Sequence, residues 1–154
     1  MSSSQVHLDE AKVQTLRGQL RGRLVRPGEP SYESARKVYN AMIDRRPNLI
    51  VQCAGVSDVI HAVNFARENR IDLAVRGGSH NVAGFAVCDG GIVIDLGQMK
   101  SVRVEPDKRI ARVEGGSTWG DLDHATHAFG LAVPGGLVST TGIAGLTLGA
   151  ASAT

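Results

Sequence analysis

Paired glycines separate the apolar segments of this chain, and they limit its possible folds more than any other feature. Glycine accounts for 19 of the 154 residues, well above its usual share of about 7%. Most of it lies at Gly77-Gly78, Gly90-Gly91, Gly115-Gly116, Gly135-Gly136 and in the stretch 142–149. Because a residue without Cβ lets two main chains approach closely, these pairs predict tight turns held against something rather than a flexible linker.

Length and charge indicate one globular domain. The chain has 154 residues, 42% of them hydrophobic, and a formal charge of +2 spread without basic blocks. This distribution argues against a nucleic-acid partner. The first 26 residues lack the apolar core of a secretory signal, so we expect a cytoplasmic protein.

Three further features have ordinary interpretations. Residues 131–154 carry no charge, but Pro134 and several glycines would interrupt a helix there, so we expect no membrane span. His124 and His127 are three residues apart on a predicted helix without a third ligand nearby, so we expect no metal site. Cys53 and Cys88 are expected to be buried or incidental thiols.

Hydrophobic periodicity predicts an α+β fold. Helices over 8–22 and 32–41 precede a strand over 48–52. A helix capped by Ser57 and running to residue 70 then leads to a strand over 73–76, which makes a β-α-β unit with parallel strands. The inner face of that helix is predicted from the spacing of Val56, Val59, Val63 and Ala66.

The second half of the chain changes pattern. A buried strand is predicted over 92–96, and a hairpin over 101–105 and 109–114 around Pro106-Asp107-Lys108. Ser117 is predicted to cap a helix that ends near Gly130. The glycine-rich remainder predicts no closing element, and we therefore expect a chain truncated at its C-terminus.

A loop directly after the strand over 73–76 is the first candidate site. Neither G-x-G-x-x-G after a strand nor the P-loop motif occurs, but consecutive small residues in Arg76-Gly77-Gly78-Ser79-His80-Asn81 suit a nest of amides around a diphosphate. His80 would be a nucleophile or a metal ligand at the edge of a ligand. An ordinary turn with a histidine bonded to the backbone remains open.

A second loop, over 133–145, has the same character. Small and hydroxyl residues alternate with few bulky groups, which would let a flat ring or a phosphate approach the main chain. A plain glycine-rich connection would give the same composition. Neither loop decides a function by its residues alone.

Together the loops resemble the FAD-binding domain of covalent flavoprotein oxidases, the fold named after p-cresol methylhydroxylase. Residues 76–81 are similar to the R-G-G-G/S-H-S/N segment of the vanillyl-alcohol-oxidase-like group and its berberine-bridge-enzyme branch. Residues 91–96 and 113–122 also resemble that family in order and spacing, so the resemblance runs from about Arg46 to Gly149. It implies a small parallel β-α-β subdomain plus a mixed or antiparallel sheet subdomain. Residues 1–44 would be a helical lead-in and 45–154 the FAD-binding domain, without a substrate domain.

The resemblance also implies the cofactor and its contacts. His80 would be joined through an imidazole nitrogen to the 8α-methyl group of FAD. Val138 stands where bicovalent relatives have a second cysteinyl link, so a single link is expected. The implied cofactor-binding residues are Arg76, Gly77, Gly78, Ser79, His80, Asn81, Gly84, Pro134, Gly135, Gly136, Thr140, Thr141, Gly142 and Gly145.

The implied activity is that of an FAD-dependent oxidoreductase. Such a protein oxidises a CH–OH or C–N substrate and passes electrons to oxygen, which gives hydrogen peroxide. The catalytic base would lie beyond Thr154, and the substrate and oligomeric state stay open. Two alternatives remain, namely a non-covalent FAD dehydrogenase of the same fold and a truncated remnant that binds nucleotide weakly or merely folds.

Overall fold

Two sheets with flanking helices make up the computed structural model, which describes residues 8–149. This confirms the predicted α+β class. Along the chain the elements are α1 (Glu10–Gln19), β1 (Arg23–Val25), α2 (Tyr32–Ala35), β2 (Leu49–Gln52), α3 (Val56–Asn69), β3 (Leu73–Arg76), β4 (Ile92–Asp95), β5 (Val102–Glu105), β6 (Ile110–Val113), α4 (Trp119–His127) and α5 (Ile143–Gly149).

The first sheet has the strand order β1-β2-β4-β3. Strands β2 and β3 both run parallel to β4, which lies between them, so the predicted β-α-β unit is present with another strand inserted. Strand β1 pairs antiparallel with β2, from Arg23 opposite Gln52 to Val25 opposite Ile50. The segment predicted as a helical lead-in therefore also contributes an edge strand to the main sheet.

Both faces of this sheet are covered. On one face Leu49, Val51, Ile92 and Ile94 pack under α1 and α3, and on the other Ile50 and Val93 pack with Tyr32 and Val87. Coverage on both sides explains why β2 and β4 read as continuous apolar runs rather than alternating ones. Burial of each of these aliphatic side chains stabilises the fold by about 1.5–3 kcal/mol.

Helix α3 turns inward a face that matches the predicted one in part, since Ala66 is buried and Val59 packs against the core as predicted. Val56 and Val63 are 64% and 42% exposed, whereas Asp58, Ala62 and Phe65 are buried. The Asp58 carboxylate accepts hydrogen bonds from the backbone N–H groups of Arg21, Gly22 and Ala54, at 2.8–2.9 Å. This buried carboxylate therefore ties the helix to the segment before β1 and to the loop after β2.

The N-terminal ends of two helices differ from the prediction by a residue or two. Helix α3 is preceded by Gly55 as its N-cap rather than Ser57. Helix α4 is capped by Thr118 rather than Ser117, and Thr118 forms a reciprocal capping box with Asp121. Helix α2 ends at Ala35, six residues before the predicted end at residue 41.

The second sheet is the predicted hairpin of β5 and β6, which are antiparallel. It packs with α4 and α5 around Trp119, Leu122 and Ile143. Helix α5 corrects the expectation that the glycine-rich end forms no element, since Ile143 and Leu146 anchor one side of it.

None of the helices within residues 8–149 is both long and apolar enough to span a membrane. Two predictions also involve residues 150–154, which lie outside the described range: that residues 131–154 do not span a membrane, and that the chain is truncated at its C-terminus.

Glycine loops join the two sheets through close main-chain contact. A Cβ built on Gly77 would lie 2.6 Å from the carbonyl oxygen of Gly115, and one built on Gly142 would lie 2.6 Å from the amide nitrogen of Gly78. Two backbone hydrogen bonds hold the second loop, residues 133–145 and called the later loop below, beside α4. They run from Trp119 N–H to the Thr141 carbonyl and from Ile143 N–H to the Ser117 carbonyl. The glycines thus serve contact between loops, as the sequence pattern predicted in general terms.

Replacement of Asp58 by asparagine tests the orientation of α3. Burial raises the pKa of this carboxyl, but the N–H donors of Arg21, Ala54 and Gly22 outweigh it and hold the pKa below its ordinary value. We expect Asp58→Asn to lower the free energy of unfolding at pH 7 by about 1.5–3 kcal/mol, because an amide has one acceptor oxygen for three donors. Urea denaturation measures this loss.

The pH dependence of the same variant has a defined sign. A depressed folded-state pKa gives stability that is present above the unfolded value, about 3.9, and lost as the pH falls through the folded value. Wild-type stability should therefore fall below about pH 4 more steeply than that of Asp58→Asn. The exposed carboxylate Asp123 on α4 supplies the control, Asp123→Asn. Parallel pH curves for wild type and Asp58→Asn would contradict the assignment.

Substitution of glycines in the later loop tests the contact between loops. Gly142→Ala would drive a methyl group into the Gly78 backbone, so we expect it to lower the free energy of unfolding by about 1–3 kcal/mol. Gly145→Ala is the matched control, because nothing lies within 4 Å of its Cβ position in α5. The control should leave stability unchanged or raise it by about 0.5–1 kcal/mol. Equal unfolding midpoints for the two variants would contradict the close contact.

Candidate cofactor-binding site

The loop that carries His80 begins where β3 ends. Ligands of parallel sheets bind beyond the carboxyl ends of the strands, and this loop occupies that position. Ser79 has a φ of 61°, in the left-handed region that costs an L-residue roughly 1–3 kcal/mol. His80 directly follows this residue.

His80 lines a cleft of about 610 Å³, here called the His80 cleft. This volume lies within the usual range for small-molecule sites, about 300–1,000 Å³. Much of its wall is apolar, with Val75 from β3, Val82 and Phe85 from the first loop and Leu146 from α5. The predicted site residues that line it are Gly77, Gly78, Ser79, His80, Asn81, Thr141, Gly142 and Gly145.

The amides of the first loop are available to a ligand. Within residues 8–149 the backbone N–H groups of residues 77–81 donate to no protein acceptor, whereas the next turn is closed by Gly84 N–H to the Asn81 carbonyl at 3.1 Å. Consecutive free amides around small residues are suited to an anion such as a diphosphate. The structure therefore retains the donors that the sequence motif predicted.

Arg76 lies beneath the loop and not in the cleft. Its Nη2 donates to Asp95 Oδ2 at 2.6 Å, and its Nη1 donates to the Lys37 carbonyl at 3.2 Å. The side chains of Arg76 and Asp95 are 5% and 15% exposed. Because Arg76 and Asp95 are register partners on β3 and β4, this ion pair fixes the strand ends from which the His80 loop departs.

The first loop is also tied to the segment that follows α2. Arg45 Nη1 donates to the carbonyls of Gly84 and Val87, at 3.2 and 2.9 Å. Gly84 has a φ of 76°, and its Cβ position is filled by the side chain of Ile43. Gly84, predicted to bind the cofactor, is thus buried behind the cleft wall and holds the loop against its neighbour.

Tyr39 contacts His80 and was missed by the sequence prediction, which placed it in a helix. The ring centroids are 4.6 Å apart and the ring planes are tilted by 41°. Tyr39 N–H donates to the Ser79 carbonyl at 3.1 Å. Residue spacing gave no signal for this pair, because the two side chains are brought together by an irregular segment.

The later loop divides between two clefts. Thr141, Gly142 and Gly145 face the His80 cleft, whereas Pro134 and Gly135 line a second cleft of about 880 Å³ beside Trp119. Gly136 packs against the Trp119 indole, and Thr140 is exposed and lines neither cleft. Helix α5 separates the two clefts. The structure therefore brings together only part of the residues that the resemblance groups around FAD.

Other candidate chemistry is sparse in the described chain. Among residues 8–149 no three His, Cys, Asp or Glu side chains are grouped as metal ligands. The Cys53 thiol is buried, and burial raises its pKa to about 12, so it is held protonated. Burial also raises the pKa of the Cys88 thiol. Neither sulfur lines the His80 cleft.

The His80 cleft fits the two unlike halves of a flavin nucleotide. Free amides at residues 77–81 provide donors for a diphosphate, and the apolar wall around Val82 and Phe85 suits a flat ring. His80 lines the same cleft. The donor set and the shape agree with the FAD that the resemblance implies.

Curated relatives give the same assignment. The chain is 38% identical over 130 residues to the uncharacterized FAD-linked oxidoreductase YgaK of Bacillus subtilis. It is 34% identical over 129 residues to the (R)-6-hydroxynicotine oxidase of Paenarthrobacter nicotinovorans. Each alignment covers 84% of this chain but only 29% and 28% of the respective relative. The chain thus spans less than a third of these relatives' length.

Solved structures and the family model agree with the relatives. Wild-type BBE-like 1 of Physcomitrella patens superposes with a TM-score of 0.83 at 30% identity, over 90% of this chain and 30% of that one. A family model described as an FAD binding domain matches residues 47–154. The chain therefore belongs to the family of FAD-binding domains found in FAD-linked oxidoreductases.

Proposed function

We propose that the His80 cleft holds FAD and that His80 is joined through an imidazole nitrogen to the 8α-carbon of its isoalloxazine ring. The position of His80 carries this proposal. It lines the cleft directly beside amides that have no acceptor within residues 8–149. Imidazole is a competent nucleophile when neutral, and the family membership supplies the identity of the cofactor.

The residues of this chain divide the work of binding. The amides of residues 77–81 would donate to the diphosphate, which needs several donors at once because of its charge. Val82 and Phe85 would cover the ring and exclude water from one side, and Leu146 would contact it from the wall formed by α5. Thr141 and Gly142 would close the opposite side. Arg76 contributes by holding the strand ends through Asp95.

A single covalent link is proposed. Val138 stands at the position where a second, cysteinyl link would form, and its side chain is 58% exposed. Cys53 is fully buried in the core of the first sheet. Among residues 8–149, no thiol is therefore placed to reach the ring from the His80 cleft.

The whole protein is proposed to oxidise a CH–OH or C–N substrate and to reduce oxygen to hydrogen peroxide. Bound FAD would supply the two-electron acceptor for this reaction. The relative named as an oxidase of (R)-6-hydroxynicotine supports this choice. Its name identifies no substrate for this chain, and the catalytic base is proposed to lie beyond Thr154. The cytoplasmic location remains a prediction.

Loss of the covalent link in His80→Ala is the central test. We expect the intact mass of the wild-type protein to include one FAD less two hydrogens, and the mass of His80→Ala to match the polypeptide alone. Because the amides of residues 77–81 remain, the variant should still bind FAD. Acid precipitation should release this FAD from the variant. Intact-mass spectrometry and in-gel flavin fluorescence measure both properties.

His124→Ala provides the matched control, since His124 is exposed on α4 away from the cleft. It should retain the full added mass. If the wild-type protein loses all its flavin on precipitation, covalent attachment is wrong and the non-covalent dehydrogenase of the same fold becomes the better assignment.

Oxygen consumption by the whole protein tests the acceptor. With a panel of secondary alcohols and amines, we expect one peroxide formed per oxygen consumed, because two electrons leave each substrate molecule. An artificial dye acceptor provides the comparison. Turnover with the dye but not with oxygen would favour a dehydrogenase, and an FAD-loaded protein inactive with every acceptor and substrate tried would favour a remnant.

A further inference from the structure

The contact between Tyr39 and His80 has no explanation in burial. The Tyr39 side chain is 76% exposed, so it removes little apolar surface from water. Its ring nevertheless lies 4.6 Å from the His80 ring, centroid to centroid, at a tilt of 41°. This separation is near the short end of the range for interacting aromatic pairs, about 4.5–7 Å.

Hydrogen bonds on both sides of His80 hold the segment of Tyr39 and Asn40 against the His80 loop. Tyr39 N–H donates to the carbonyl of Ser79, the residue before His80, at 3.1 Å. Asn40 Nδ2 donates to the carbonyl of Val82, two residues after His80, at 3.0 Å. These two bonds hold the segment that carries Tyr39 against the His80 loop, and the phenol ring lies beside the imidazole.

We infer that Tyr39 is a positioning residue that holds the His80 imidazole in the orientation required for covalent attachment of the flavin. The inference rests on the proposed function of His80. Forming the link makes one N–C bond and removes one hydrogen from the imidazole nitrogen and one from the 8α-methyl group. The two electrons released pass to the ring system and then to oxygen. Tyr39 takes no part in these transfers.

A positioning role predicts a slower attachment rate without weaker binding. An unrestrained imidazole spends a smaller fraction of time in the reactive orientation. The interaction between two aromatic rings, in addition to the burial of their surface, changes an equilibrium constant by about threefold to tenfold. The same factor is expected for the rate of covalent attachment, whereas the dissociation constant for FAD before attachment should be unchanged.

The experiment follows FAD attachment to protein produced in flavin-depleted cells. Aliquots are precipitated with acid over time after FAD addition, and linked flavin is measured by in-gel fluorescence. Tyr39→Ala should link flavin about threefold to tenfold more slowly than wild type, and Tyr39→Phe, which keeps the ring, should match wild type. Met42→Ala is the matched control, because Met42 is 90% exposed on the same segment and should also match wild type.

A second measurement needs no flavin. In the flavin-free protein we expect nuclear Overhauser contacts between the Tyr39 ring and His80 Hδ2, together with an upfield ring-current shift of the His80 ring protons. Both should be lost in Tyr39→Ala while the remaining amide spectrum is preserved, which separates loss of positioning from loss of fold.

The outcomes separate the inference from the proposed function. Equal attachment rates for wild type and Tyr39→Ala, or an equally slow Tyr39→Phe, would overturn the positioning role while leaving the link at His80 intact. A wild-type protein that forms no acid-stable flavin would overturn the proposed link itself, and the positioning role with it. A slow Tyr39→Ala with normal Tyr39→Phe and Met42→Ala supports the inference.

Discussion

Contact between the backbones of glycine loops is the constraint on which the site depends. Gly78 meets Gly142, and Gly77 meets Gly115, at separations that leave no room for a Cβ. Through these contacts the first sheet, which carries the His80 loop, is joined to the second sheet and α5. The two walls of the His80 cleft come from these two parts of the chain. The width of the cleft is therefore set by main-chain contact and not by side-chain packing.

Two carboxylates with little exposure to solvent hold the elements on which those loops depend. Asp95 pairs with Arg76 at the ends of β4 and β3, and Asp58 collects three backbone amides at the start of α3. Leaving one partner of such a buried group unsatisfied costs about 1–3 kcal/mol or more. Both carboxylates thus define where a loop leaves the sheet. Arg76, the arginine of the family motif, holds the strand ends below the cleft through Asp95.

Local patterns in the sequence predicted the elements that local interactions determine. The apolar runs of β2 and β4 and the alternating hairpin around Pro106 were found because their patterns follow from burial and turn geometry. Strand β1 was missed because three residues carry no period. The caps at Gly55 and Thr118 were missed because serines one or two residues away match the same preference. Helix α5 forms despite its glycines because Ile143 and Leu146 pack on α4.

The site was predicted in part for the same reason. His80 and its glycines form a contiguous motif, so their position at the end of β3 followed from sequence. Tyr39 lies 41 positions earlier in the chain, within an irregular segment, and no periodicity links it to His80. The left-handed Ser79 connects the two findings. Its strain, about 1–3 kcal/mol, is offset in part by the hydrogen bond that Tyr39 N–H donates to the Ser79 carbonyl, and the same bond brings the phenol ring to the imidazole.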